Sequence, residues 1–187
     1  MAKGRIVLVS GAPGTGKSTV AALLAQDSTL ERSLHLHTDE FYDALCKGAI
    51  PPHLPGSQDQ NQVVIEAFRE AAKRFAQGGY DVVVDGVIGP WFLDPWLQAA
   101  QEGYQVHYLV LRASKETTLS RALGRIKLDE ATNRELVETM WAQFADLGPW
   151  EPWSVDTTVL TPPATAKLLQ EKLRTNTNLL TCLLTGE

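Results

Sequence analysis

Gly11-Ala12-Pro13-Gly14-Thr15-Gly16-Lys17-Ser18 is the stretch whose reading decides the fold. A glycine, four residues, then Gly-Lys-Ser suits polyphosphate, because glycines let the backbone curl until several N–H groups converge on the anion. The apolar run Ile6–Val9 ahead of it reads as a buried strand, and a helix expected from about Lys17 adds its positive end. Lys17 is expected to reach the β- and γ-phosphate oxygens of ATP, and the Ser18 hydroxyl to ligate Mg2+. Thr19 is a lesser contact on the same turn. A glycine turn without ligand is the plain alternative.

Outward from that loop, short apolar runs alternate with segments of helical period, which predicts a parallel sheet covered by helices on both faces. The further runs are Leu34–Leu36, Tyr80–Val84, Val106–Leu111 and a weaker one at Val155–Val159. Helical periodicity is clearest from Gln62 to Ala76, where Val64, Phe68, Ala72 and Ala76 recur every fourth residue, and Gly78-Gly79 stops it. Further helices are expected from about Asn133 to Leu147 and from Pro162 to about Leu173. Gly48–Gln60, with Pro51, Pro52 and Pro55, reads as a long substrate-side loop.

Two acids fall where strands end. Asp39 follows Leu34–His37 and is expected at the carboxyl-terminal crevice of the sheet, where it accepts or positions an acceptor hydroxyl. Capping of the following helix is its other reading. Asp85 ends Tyr80–Val84 and is the second candidate for the magnesium shell, against a plain strand-terminal acid. Arg112 follows the run Val106–Leu111, while Arg121 and Arg125 share a helical face and are candidates for clamping phosphoryl oxygens. A solvated helix with Glu116 and Asp129 as partners is the alternative for these arginines.

His35 and His37 alternate along one strand and so share a face, with packing or a substrate hydrogen bond both open. None of the four histidines shows metal-ligand spacing. Trp91 and Trp96 offer either an aromatic wall for the acceptor or core packing.

The 187 residues, 44% hydrophobic and 21% charged, suit one globular domain over about residues 1–174, with a tail at 175–187. A net charge of −5 argues against a general nucleic-acid binder, and no run is long enough to span a membrane. Cys46 and Cys182 show no zinc or disulfide pattern, which fits a reducing, cytoplasmic setting without a targeting signal. The sequence says nothing of oligomeric state.

Gly11–Thr19, His37–Tyr42, Val84–Pro90, Val110–Arg112 and Phe144–Gly148 together resemble the small P-loop kinases of the nucleoside-monophosphate-kinase-like group. Within it the chain looks most like the chloramphenicol-phosphotransferase-like and zeta-toxin-like branch, over roughly residues 5 to 172. The resemblance implies a three-layer α/β P-loop NTPase fold with a five-stranded parallel sheet of order 2-3-1-4-5. It carries over ATP and magnesium to Gly11–Thr19, the acceptor hydroxyl to Asp39, and a lid at about 121–134 to Arg121 and Arg125. It also implies that Arg112 and the loop Thr157–Pro163 lie near the adenine. The chain departs from adenylate kinases after Asp85, where Gly86-Val87-Ile88-Gly89-Pro90 replaces Asp-Gly-Tyr/Phe-Pro-Arg.

The expected activity is therefore transfer of the γ-phosphoryl group of Mg-ATP to a hydroxyl or phosphate of a small molecule. A cytidylate-like nucleoside monophosphate kinase and a partner-dependent ATPase switch are the alternatives. Against the switch stand the lack of an Asn/Thr-Lys-x-Asp segment and of a basic tract.

Overall fold

Strand β1 (Arg5–Ser10) is buried in every residue but its first, as the central strand of a sheet covered on both faces must be. The computed structural model describes residues 4–123 and 130–180, with the backbone alone at 123 and 130–133. Around β1 stand β2 (Ser33–His37), β3 (Asp81–Asp85), β4 (Gln105–Arg112) and β5 (Ser154–Asp156). They form a parallel five-stranded sheet in the order β2-β3-β1-β4-β5. The helices are α1 (Lys17–Gln26), α2 (Thr38–Asp43), α3 (Gln58–Gln77), α4 (Asp94–Gln101), α5 (Lys115–Leu123), α6 (Glu130–Gln143) and α7 (Pro162–Thr175). Short 3-10 turns at Pro90–Phe92 and Gly148–Trp153 complete the described elements.

The period of two along the strands sorts the core into two layers. Ile6 and Leu8 face a layer with Val82, Val84, Phe68 of α3 and Trp96 of α4, while Val7 and Val9 face Val20 and Leu24 of α1 and Leu169 of α7. Phe68 and Trp96 are both fully buried, their rings edge to face at 6.3 Å. Truncating Phe68 to alanine is expected to cost about 3–5 kcal/mol by transfer and cavity terms together.

At the amino-terminal end of the strands Arg5 forks onto Asp81, with Nε and Nη2 each 2.8 Å from a carboxylate oxygen. Ser28 adds a 2.5 Å bond to the same carboxylate, so a nearly inaccessible acid is fully partnered. Asp81 thereby locks the base of the sheet, which leaves the opposite end to the loops.

The weaker strand expected at Val155–Val159 is only Ser154–Asp156 long. Asp156 accepts from both the backbone N–H and hydroxyl of Thr158, which turns the chain, and Val159 beyond it is 90% exposed. Helix α3 starts at Gln58, inside the segment read as loop, because Ser57 and Asn61 fix its first turn on Pro52 O and Leu54 O. The described part of the tail packs rather than frays. Tyr108 N donates to Asn178 O at 2.9 Å on the side of β4 that short β5 leaves open, and Leu180 is fully buried.

Candidate functional site

β1 ends in Ser10, whose hydroxyl donates to Ile88 O at 2.8 Å and accepts from Ile88 N at 3.0 Å. The Tyr108 hydroxyl donates to the same carbonyl at 2.7 Å. These bonds pin the loop that follows β3 against the glycine-rich loop that follows β1, at the carboxyl-terminal edge where open α/β sheets bind ligands.

Within the glycine-rich loop the Thr15 hydroxyl turns back onto Ala12 O at 2.8 Å. Gly16, at φ 92°, then holds the N-cap position of α1 in the left-handed region that a side chain rarely tolerates. No side chain caps α1, so its first-turn N–H groups remain for an anion.

Asp85, the last residue of β3, is completely buried yet surrounded by donors. The Ser18 hydroxyl donates to Oδ2 at 2.5 Å, His35 Nε2 lies 2.5 Å from Oδ1, and His37 Nδ1 lies 2.9 Å from the same oxygen. The other ring nitrogen of His37 lies 3.2 Å from Asp39 Oδ2. A continuous polar chain thus runs from the phosphate loop to the first turn of α2. Gly86 lets that turn sit close, since a Cβ there would fall 2.3 Å from the hydroxyl of buried Thr38.

Charge follows this geometry. Burial raises the Asp85 carboxyl, but hydrogen bonds from His35, His37 and Ser18 outweigh it and hold the acid well below the usual carboxylate range. The bond to Asp39 and then that to Asp85 raise His37 to about 10, with burial opposing. The bond from His37 lowers Asp39 against the effect of burial, with the charges of His37 and Lys17 assisting. Lys17 therefore acts on Asp39 from the loop side. Tyr42, one turn on from Asp39, is pushed up to about 12 by burial and then by the Asp39 charge.

Ser18 and Asp85, each expected at magnesium, are hydrogen-bonded to one another, and Asp39 stands beside them through His37. The N-cap of α2 is His37, with Asp39 inside the first turn and largely exposed, so its role is not that of the cap. Two paired oxygen donors fit a hard divalent cation such as magnesium, which takes few protein ligands and completes its shell with phosphate and water. Among the described residues no group of three or more His, Cys, Asp or Glu is arranged to enclose a metal.

The arginines separate. Arg121 borders a hollow of about 210 Å3 together with Gly16, Thr19, Thr157, Leu160 and Pro162, and its Nη2 lies 3.4 Å from Thr158 O. Arg112 instead borders a different hollow of about 410 Å3 beside Trp141 and Phe144. Its guanidinium is held by Ala145 O at 2.9 Å, Ser154 Oγ at 3.0 Å and the Glu151 carboxylate. Arg112 and Thr158, from the loop Thr157–Pro163, line this hollow together with Ala12 and Thr15 of the glycine-rich loop, and Thr157 N donates to Arg112 O. Arg125 and Cys182 lie outside the described residues, as does the stretch 124–129 of the expected lid. Cys46 is exposed.

His35 and His37 are the site residues that sequence reasoning left without a role. Their alternation placed both on one face, but the partner, Asp85, is about 50 residues away and meets them only through the β2–β3 register His37↔Asp85. The tryptophans also divide, Trp96 being fully buried and Trp91 47% exposed.

Among solved structures, the APS kinase of Mycobacterium tuberculosis in complex with AMPPNP and APS superposes with a TM-score of 0.66 at 14% identity, covering 93% of this chain and 99% of that one. The tunicamycin resistance protein of Deinococcus radiodurans gives 0.63 at 21% identity, covering 91% and 96%. Thymidylate kinase from Candida albicans gives 0.56 at 18% identity, covering 96% of each. At such identities the likeness is one of fold, and the fold is the three-layer architecture of P-loop NTPase kinases. No curated protein sequence matches the chain. No helix among the described residues is long and apolar enough to cross a membrane. The AAA domain family AAA_18 matches residues 7–141, a span that runs from β1 through the phosphate loop, Asp39 and Asp85 into α6, and the chain belongs to that family.

Proposed function

We propose that the protein is an ATP-dependent phosphotransferase that moves the γ-phosphoryl group of Mg-ATP to a hydroxyl of a small molecule. The observation that carries this reading is the junction of phosphate loop and acid: buried Asp85 bonded to Ser18 and linked through His37 to Asp39. Magnesium, when bound, neutralises phosphate charge and orients the chain of phosphates. Ser18 and Asp85 are the residues that would hold it.

The residues divide the work by position. The loop Gly11–Ser18 receives the phosphates through its amides, and Lys17 supplies positive charge to the β- and γ-oxygens. Arg121 sets a further positive charge in the smaller hollow beside Gly16 and Thr19, where it helps Lys17 to hold the phosphates of ATP. Asp39 stays ionised because His37 and Lys17 lower its pKa, and so weak a base is better suited to holding an acceptor hydroxyl in line than to removing its proton early. A hydroxyl acceptor is favoured over a phosphate, because an ionised carboxylate repels an incoming dianion. The residues 37–42 and 84–90 support the chloramphenicol-phosphotransferase-like and zeta-toxin-like branch.

Purified protein with Mg-ATP and a panel of hydroxylated acceptors, followed by ADP release and phosphorus NMR of the product, tests the reading. Asp39→Asn is expected to lower kcat by about 10²- to 10⁴-fold with ATP affinity kept. Lys17→Ala is expected to abolish turnover. Full turnover by Lys17→Ala would remove the phosphate loop from the reaction and end the proposal.

A further inference from the structure

A second groove lies apart from the phosphate loop, between the first half of α3 and the segment 91–98, with a volume of about 430 Å3. That is within the range of about 300–1,000 Å3 usual for small-molecule sites. Trp91 forms one wall, 47% exposed, with its indole tilted 65° to the Phe144 ring at 5.4 Å and lying close against Gly89. A half-exposed tryptophan held in one orientation offers a flat apolar face at little cost in side-chain freedom.

Asn61, on the opposite wall, is only 5% exposed. Its amide nitrogen donates to Pro52 O at 2.8 Å and to Ser57 Oγ at 3.1 Å, which fixes the orientation of the group. Asn61 Oδ1 is consequently a buried acceptor with no protein donor. A buried oxygen left in this state calls for a donor from outside the chain.

The remaining polar lining is of one kind. Gln58, Gln62, Glu66, Asp94 and Gln98 present planar amides and carboxylates, and no lysine or arginine lines the groove among the described residues. Arg69 reaches two of the lining residues, bonding Pro95 O and the Gln98 side chain, and is further held by Glu70. Two carboxylates, with the one guanidinium that touches the lining engaged in this way, disfavour phosphorylated and carboxylated ligands. Carboxylates and an orphaned carbonyl oxygen all ask for donors, and hydroxyl groups supply them. A ring that is apolar on one face and rimmed with hydroxyls meets both the indole and the acceptors.

We propose that this groove binds a neutral monosaccharide ring, free or as a glycoside, with one ring face on Trp91 and a hydroxyl donating to Asn61 Oδ1. The binding requires no nucleotide and holds whether or not the protein transfers phosphoryl groups.

Nucleotide-free protein is titrated with glucose, galactose, mannose and ribose and with their methyl glycosides, read by saturation-transfer NMR and tryptophan fluorescence. At least one sugar saturates, and the matching sugar phosphate binds about tenfold or more weakly. Trp91→Ala weakens the sugar by about tenfold. The surface pair Gln62→Ala and Asp94→Ala weakens it independently of any change at Trp91, and ATP affinity stays constant in all variants. The proposal is overturned if no sugar of the panel saturates at about 50 mM, if affinity survives both Trp91→Ala and the surface pair, or if the phosphorylated sugar binds as well as the neutral one.

Discussion

His37 Nδ1 lies 2.9 Å from Asp85 Oδ1, and because the ring's far nitrogen meets Asp39, one imidazole bonds two carboxylates at once. Both ring nitrogens then carry protons, and the ring is a cation between two anions. His37 is raised to about 10, from an ordinary value of 6.5, first by the bond to Asp39 and then by that to Asp85. A raised folded pKa contributes stability that is fully present below pH 6.5 and is lost as pH rises through about 10. In metal-free protein, urea midpoints are therefore expected to decline between pH 7 and 10, and His37→Gln to flatten that limb. NMR titration of the His37 ring checks the same point directly, with no deprotonation expected below pH 9 or so.

His107 behaves in the opposite sense. It is inaccessible, its Nε2 has no partner, and burial first, then Arg5, lowers it to about 4. A depressed folded pKa leaves stability intact above pH 6.5 and removes it as pH falls towards 4. The shift corresponds to on the order of 3 kcal/mol. Chemical denaturation at pH 7.5 and 4.5 is expected to show that loss in the wild type and a smaller one in His107→Gln.

Gly86 and Thr38 are in close approach. An added Cβ would lie 2.3 Å from the Thr38 hydroxyl and 3.0 Å from its Cβ, so Gly86→Ala must push the start of α2, and Asp39 with it, away from β3. A loss of about 1–3 kcal/mol is expected in denaturation experiments. Adding Thr38→Ala relieves part of the clash, so the double variant is expected to be more stable than the sum of the single changes.

Arg121 lies beside Gly16, Thr19 and Leu160, away from the chain of residues that joins Ser18 to Asp39. Arg121→Ala is expected to raise the KM for ATP by about tenfold and to leave kcat within about threefold. Steady-state kinetics separate the possibilities, because a loss confined to kcat would place the guanidinium on the transferred phosphoryl group instead.

Much of the architecture was legible one residue at a time. Gly11–Ser18 gives the phosphate loop by spacing, and the runs at Ile6, Leu34, Tyr80 and Val106 give four of five strands; β1, β3 and β4 read as near-continuous apolar runs because both their faces are covered, while the edge strand β2 shows only Leu34 and Leu36. β5 was overextended because Val159 looks like strand, whereas Asp156 and Thr158 turn the chain before it. Apolar character does not reveal a side-chain bond that ends a strand.

What the sequence determined by itself was local: which segments are strand or helix, and which short pattern wraps a phosphate. Those choices follow from periodicity and from the backbone freedom of glycine, which need no distant partner. Tertiary structure alone decided that His35 and His37 face Asp85, that Arg112 is held by Glu151 while Arg121 borders the loop, and that Asn61 keeps a bare oxygen across from Trp91. Each of those depends on strand order and helix packing, which bring together residues tens of positions apart.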